Sequence, residues 1–143
     1  MSEALTGLEH FKALFNRLGS QHLEGLEQVY HENALFQDPF VRVEGLQSLT
    51  AYFTGAYSNV IQCRFDYGKP VVDGDRIVLP WVMHLQHRKL RSGQSLQVDG
   101  ISHLQFAGQR VTHHRDYFDA GQLLYENIPL LGAAVRWLKR YAA

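Results

Sequence analysis

The stretch Val111-Thr-His-His-Arg-Asp-Tyr-Phe-Asp119 decides how this chain is read. It follows a turn signal at Ala107-Gly108-Gln109 and is rich in β-branched, aromatic and ring-bearing residues, which suit a pleated strand. Side chains alternate along a strand, so His114, Asp116 and Phe118 share one face, and His113, Arg115, Tyr117 and Asp119 share the other. Neither face is plainly apolar. The first sets a carboxylate beside an imidazole and an aromatic ring, as in a polar group placed in an apolar pocket. This strand is therefore expected to supply a polar site in a cavity.

Working backward, turn signals at Arg91-Ser-Gly93 and Asp73-Gly-Asp75 separate strands predicted over 94–106, 76–90 and 60–72, the last bent or ended near Gly68 and Pro70. Before them the texture is helical. Leu5, Leu8, Phe11, Leu14, Phe15 and Leu18 give an amphipathic helix over 3–18, ended by Gly19-Ser20. A second helix is predicted over about 22–31 and a third over about 46–57, after Gly45. Between them lies a short strand, 34–38, stopped by Pro39, which cannot donate to a ladder. Beyond the last strand, 110–119, a tail over about 121–143 is helical after a break at Pro129. Its apolar stripe is Leu130, Leu131, Ala134, Val135, Leu138 and Tyr141, with Arg136, Lys139 and Arg140 near the C-terminal end, where cations favour the helix dipole. Three helices followed by a four-strand meander joined to one earlier strand is an α+β pattern: helices on one face of a curved, mostly antiparallel sheet, in one domain spanning 1–143.

Composition narrows the function. The 143 residues carry 14 basic and 14 acidic side chains, and this balance argues against a general nucleic-acid binder. No apolar run reaches the length of a membrane span. The opening Met-Ser-Glu-Ala-Leu-Thr lacks the basic and apolar parts of a signal peptide, and a cytoplasmic address is the expectation. The single Cys63 excludes an internal disulfide and a cysteine-cluster metal site. His113 and His114, as strand neighbours, point to opposite faces and cannot chelate one ion together. No metal is expected on that ground, and no organic cofactor, since no glycine-rich phosphate loop occurs.

The order helix, helix, Phe36-Gln-Asp-Pro39, helix, then a meander ending in Arg115-Asp-Tyr-Phe-Asp119 resembles the nuclear transport factor 2-like (cystatin-like) fold. In that fold three helices pack on a curved mixed sheet to form a cone. Within it the chain is similar to the SnoaL-like polyketide cyclase, ketosteroid isomerase and limonene epoxide hydrolase branches, over about residues 5–125. The resemblance implies that Asp38, before Pro39, matches the isomerases' general base. The positions of the isomerases' phenol and protonated acid correspond to Leu14 and Ser102. Against the epoxide hydrolases, Asp116 matches one catalytic carboxylate, Trp81 and Met83 stand where those enzymes carry an Arg-x-Asp pair, and Asp38 stands where they position water with Asn. The chain thus keeps one acid of each branch without its electrophilic partner.

Asp38, Asp116 and His114 are accordingly the candidate catalytic residues. Two carboxylates sharing a cavity repel when both are charged, which sets up a protonated and an ionised partner, and His114 is placed to bond Asp116. Phe36 and Phe118, with Leu14, Trp81, Met83, Val98, Ser102 and Leu104 on matching strand or helix faces, are the candidate lining of an apolar pocket for a small hydrophobic molecule. The function these residues suggest is acid/base chemistry on an apolar, oxygenated small molecule by an isomerase, cyclase, hydrolase or dehydratase. The alternative is a binding module that holds a hydrophobic ligand or a partner protein without chemistry. A homodimer through the opposite sheet face, which carries His84, Asp99, His103, Arg115 and Tyr117, is expected, and the basic C-terminal helix leaves contact with a membrane surface open.

Overall fold

The computed structural model describes residues 2–143. Helix α1, Glu3–Phe15, starts at Ser2, whose hydroxyl accepts the Leu5 N–H as an N-cap. Its buried residues Leu8, Phe11 and Phe15 repeat at helical spacing and face the sheet. The helix stops at Phe15, short of the expected residue 18. Asn16 leaves the helix to exchange two hydrogen bonds with the backbone of Phe65, across the cone.

The second helix differs more from expectation. Only Leu26–Val29 is helical (α2), and strand β1 already begins at Tyr30 and runs to Gln37. Tyr30, Ala34 and Phe36 are buried, and β1 pairs in parallel with the last strand, Arg110–Phe118 (β7), so long-range pairing overrides the helical periodicity read at 22–31. A strand absent from the sequence reading, Arg42–Glu44 (β2), folds back on β1 through the turn Asp38-Pro39-Phe40-Val41. Asp38 and Pro39 occupy the turn positions their chemistry favours. Helix α3 covers Leu46–Tyr57 and buries Leu49, Phe53 and Tyr57.

The meander follows. Strand β3, Val60–Tyr67, ends before Gly68, and a short β4, Val71–Asp73, turns at Gly74 into β5, Arg76–His87. Gly74 holds the positive φ that this two-residue turn requires. Strand β6, Leu96–Ala107, returns to β7. The sheet order is β2-β1-β7-β6-β5-β3, with β4 on β5, antiparallel throughout except for β1 beside β7. This is the nuclear transport factor 2-like α+β architecture: a curved mixed sheet with α1 and α3 filling its concave side.

After β7 come a short α4, Ala120–Leu123, capped by the Asp119 carboxylate, a 3-10 turn at Tyr125–Asn127, and α5, Leu131–Ala142. Of α5 only Gly132 is buried; Trp137, Leu138 and Tyr141 are 56%, 54% and 78% exposed. Its fastening is polar, through Arg136 to the Glu126 carbonyl and Lys139 to Glu126 and Asp119. No helix among the described residues is long and apolar enough to cross a membrane.

Candidate active site

The concave face is set by strand register. Asp116 pairs with Ser102 and Ser102 with Leu79, while Phe118 pairs with Gly100 and Gly100 with Trp81. These side chains therefore point the same way, toward the helices. Gly100 is required at its position by space. A Cβ there would meet three atoms of the Trp81 six-membered ring at 2.3 to 2.8 Å. The missing side chain lets the indole lie across the sheet, where Trp81 Nε1–H donates to Ser102 Oγ at 2.9 Å.

Ser102 in turn donates to Asp116 Oδ1 at 2.6 Å, and His114 Nε2 lies 2.6 Å from the same oxygen. On the other side of the ring, His114 Nδ1 is 2.7 Å from the Tyr30 hydroxyl. One arrangement uses every donor: Tyr30 O–H to Nδ1, Nε2–H to Asp116, Trp81 N–H to Ser102 and Ser102 O–H to Asp116. His114 is 2% exposed and boxed by the edges and faces of Phe11, Phe15, Phe36 and Tyr30. An imidazole can be buried this way only because both nitrogens are bonded. Among the described residues no donor bonds Asp116 Oδ2, and the side chain retains 20% exposure toward the cavity.

That cavity holds about 490 Å³ between the sheet, α3 and the segment after β7. Asp38, Asp116, Phe36, Trp81, Met83 and Phe118, all expected from the sequence, line it. His114 and Ser102 lie behind Asp116 and do not line it, because the Trp81 indole and the aromatic box cover them. Leu14, Val98 and Leu104 are buried in the core and are no part of its wall. The phase of α1 explains Leu14: Phe11 and Phe15 take the positions facing His114, and Leu14 is turned toward Gly25.

Asp38 is more committed than Asp116. Its Oδ1 accepts the backbone N–H groups of Phe40 and Val41, and its Oδ2 accepts the Tyr52 hydroxyl at 2.5 Å. It is thus the turn acid of the β1–β2 connection and also a cavity residue. Burial first, and Asp38 second, push the Tyr52 phenol well above its ordinary range, so Tyr52 stays protonated. Sequence reasoning did not find Tyr52, which sits in the apolar stripe of α3, or Tyr30, whose partner is 84 residues away. It also missed Cys63, His87 and Lys89 on the wall. Burial raises the Cys63 thiol to about 12. Among the described residues no three His, Cys, Asp or Glu side chains converge as a metal-ligand set.

The model of the SnoaL-like domain matches residues 11–114, and the chain belongs to that family. Three solved structures illustrate the shared fold. An NTF2-like protein of unknown function from Burkholderia pseudomallei K96243 is 16% identical, with 87% of this chain and 96% of that chain covered and a TM-score of 0.76. A protein with a ketosteroid isomerase-like fold from Catenulispora acidiphila, in complex with trimethylamine, is 12% identical, with 85% and 91% covered and a TM-score of 0.72. An LEH-like epoxide hydrolase of M. tuberculosis is 17% identical, with 93% and 95% covered and a TM-score of 0.70. Among proteins with curated descriptions, none matches the sequence.

Proposed function

We propose that this protein is an enzyme that moves a proton on an apolar, oxygenated small molecule, as an isomerase, cyclase, hydrolase or dehydratase does, with Asp116 as the base. The observation that carries this reading is the asymmetry of Asp116, which lines an apolar cavity: two donors hold Oδ1, and among the described residues none bonds Oδ2. Oδ1 fixes the carboxylate's orientation, and Oδ2 is the atom that takes a proton from a substrate carbon or a water and returns it. His114 and Tyr30 are positioning residues behind it. Across the cavity the Asp38–Tyr52 pair is a second polar contact, and the Tyr52 O–H is already given to Asp38, so the Tyr52 oxygen meets a substrate as an acceptor. The names of the structural neighbours, which include an epoxide hydrolase, agree with a small-molecule enzyme in general terms.

The test is a turnover screen with hydrophobic ketones, lactones and epoxides, followed by Asp116→Asn. Loss of about two to four orders of magnitude in kcat is expected for a general base. Full activity in Asp116→Asn would remove the mechanism. The commitment of both Asp38 oxygens to the turn and Tyr52 favours a second reading, a binding module without chemistry. Ligand binding with no turnover in the wild type, changed only in affinity by Asp116→Asn, would establish it. A homodimer through the exposed sheet face, where Arg115 stacks over Tyr117 at 4.6 Å, belongs to the same proposal and is read by light scattering.

A further inference from the structure

The cavity has two polar ends of opposite character. Along β5 the alternate residues Trp81, Met83, Leu85 and His87 all line it, so it follows the strand. At about 3.3 Å per residue, Trp81 and His87 are roughly 20 Å apart along the backbone. At the Trp81 end stand the carboxylates Asp116 and Asp38. At the other end are His87 and Lys89, and the wall between is apolar, formed by residues such as Phe53, Tyr57, Phe65, Leu85 and Leu90. The two ends also differ in what they present to solvent. At the lysine end Lys89 is open to solvent, and at the carboxylate end the apolar ring of Phe40 is the exposed residue.

The His87–Lys89 end is built to meet an anion. Among the described residues Lys89 has no ion-pair partner. His87 Nδ1 accepts the Lys89 backbone N–H at 3.1 Å, which leaves Nε2 to carry the ring proton and act as a donor. Burial first, then the nearby Lys89 and Arg88, hold the His87 imidazole below its ordinary value, so it offers a neutral N–H beside the lysine ammonium.

We propose that the cavity takes an elongated apolar molecule with one carboxylate head, the chain running in toward Asp116 and the head held at the mouth by Lys89 and His87. Three physical points favour this orientation. The head stays near water, so its charge is not fully desolvated. The reverse orientation places it against Asp38 and Asp116, and like-charge repulsion excludes it. The chain covers the apolar wall and brings an internal carbon to Asp116 Oδ2. The inference names the substrate class of the site proposed above and rests on that reading for the role of Asp116, but not for the binding itself.

The probes are dodecanoate and 1-dodecanol, of equal chain length, titrated below their self-association limits and followed by the fluorescence of Trp81 in a Trp137→Phe background. The wild type is expected to prefer dodecanoate by about tenfold or more, as charge-assisted hydrogen bonds provide. Lys89→Gln should reduce the preference to under threefold with dodecanol affinity unchanged, and added salt should shrink it in the wild type. Dodecyl phosphate is the third arm, and tighter binding of it than of dodecanoate would overturn the carboxylate assignment. Equal binding of acid and alcohol, a preference that survives Lys89→Gln, or binding of neither also overturns the proposal. Asp116→Asn should keep the dodecanoate preference. A protein that binds in this way but turns nothing over refutes only the catalytic reading.

Discussion

Replacing Gly100 with alanine tests the architecture of the site without touching a polar atom. Gly100 has no positive φ, so the backbone accepts alanine and only space opposes it. The new methyl would stand 2.3 Å from the nearest Trp81 ring atom, where ordinary contact begins at 3.4 Å, so the indole must retreat by about 1 Å or more. Phe65 and Phe118 pack against that ring at centroid distances of 5.4 and 6.3 Å and leave it little freedom. Overpacking of this kind costs about 1–3 kcal/mol. If the indole also loses Ser102, a buried donor goes unpaired at about 1–3 kcal/mol more. The reduced freedom of the unfolded chain returns about 0.4–1 kcal/mol. The net destabilisation is then about 1–5 kcal/mol, measured by urea unfolding.

The same mechanism makes a sharper demand on a double-mutant cycle. In Trp81→Phe the long ring that meets the added methyl is gone, so Gly100→Ala should cost less than about 1 kcal/mol there, a coupling of about 1–3 kcal/mol. Equal costs in both backgrounds, or a Gly100→Ala variant within about 0.5 kcal/mol of wild type, would show that the close approach to Trp81 does not govern this position.

Tyr30→Phe leaves His114 Nδ1 buried without a partner and should cost about 1–3 kcal/mol in urea unfolding; a neutral result would break the chain of bonds behind Asp116. Alkaline pH should destabilise the fold through Cys63: its thiol, raised from 9.0 to about 12, keeps its proton longer folded than unfolded, so its contribution is complete below pH 9 and is lost as pH climbs toward 12. The slope is about 1.4 kcal/mol per pH unit between those limits, and Cys63→Ala should flatten it around pH 9.5, before the buried Tyr30 and Tyr57 phenols, also raised by burial, add their share. Deleting residues 130–143 should lower stability by less than about 2 kcal/mol, because α5 buries only Gly132 and is tied by exposed ion pairs; a collapse of the fold on deletion would contradict that.

The parts legible in the sequence are those whose cause is local. Helix α3 fell within 46–57 because its period and its flanking Gly45 coincide, and the meander turns at Gly74 and Gly108 were marked by their glycines. The two faces of β7 follow from parity alone, so the neighbourhood of His114 and Asp116 could be read. What could not be read depends on distant partners. Val29 and Tyr30 fit a helix until β7 offers β1 a parallel neighbour, and the short β2 exists only as the return arm of the Asp38 turn. Alternation puts Trp81, Ser102 and Asp116 on one face but cannot tell which of them covers another, and Ser102, expected on the cavity wall, lies beneath the indole.

That distinction separates the two acids. Asp38 gets its partners from residues 40, 41 and 52, close in sequence, and both of its oxygens are engaged. Asp116 is held by Ser102 from the adjacent β6, and through His114 by Tyr30 from β1, 84 residues away. Its orientation therefore depends on the one parallel pairing in the sheet, in which Phe36 lies opposite His114. The bulge in that ladder between Tyr30 and Leu35 falls beside the point where Tyr30 reaches the imidazole. Changes that loosen β1 from β7 should thus disturb Asp116 before they disturb Asp38, even when they lie outside the cavity. The carboxylate with a free oxygen is the one whose setting the whole fold must complete, and so it is the better candidate for chemistry.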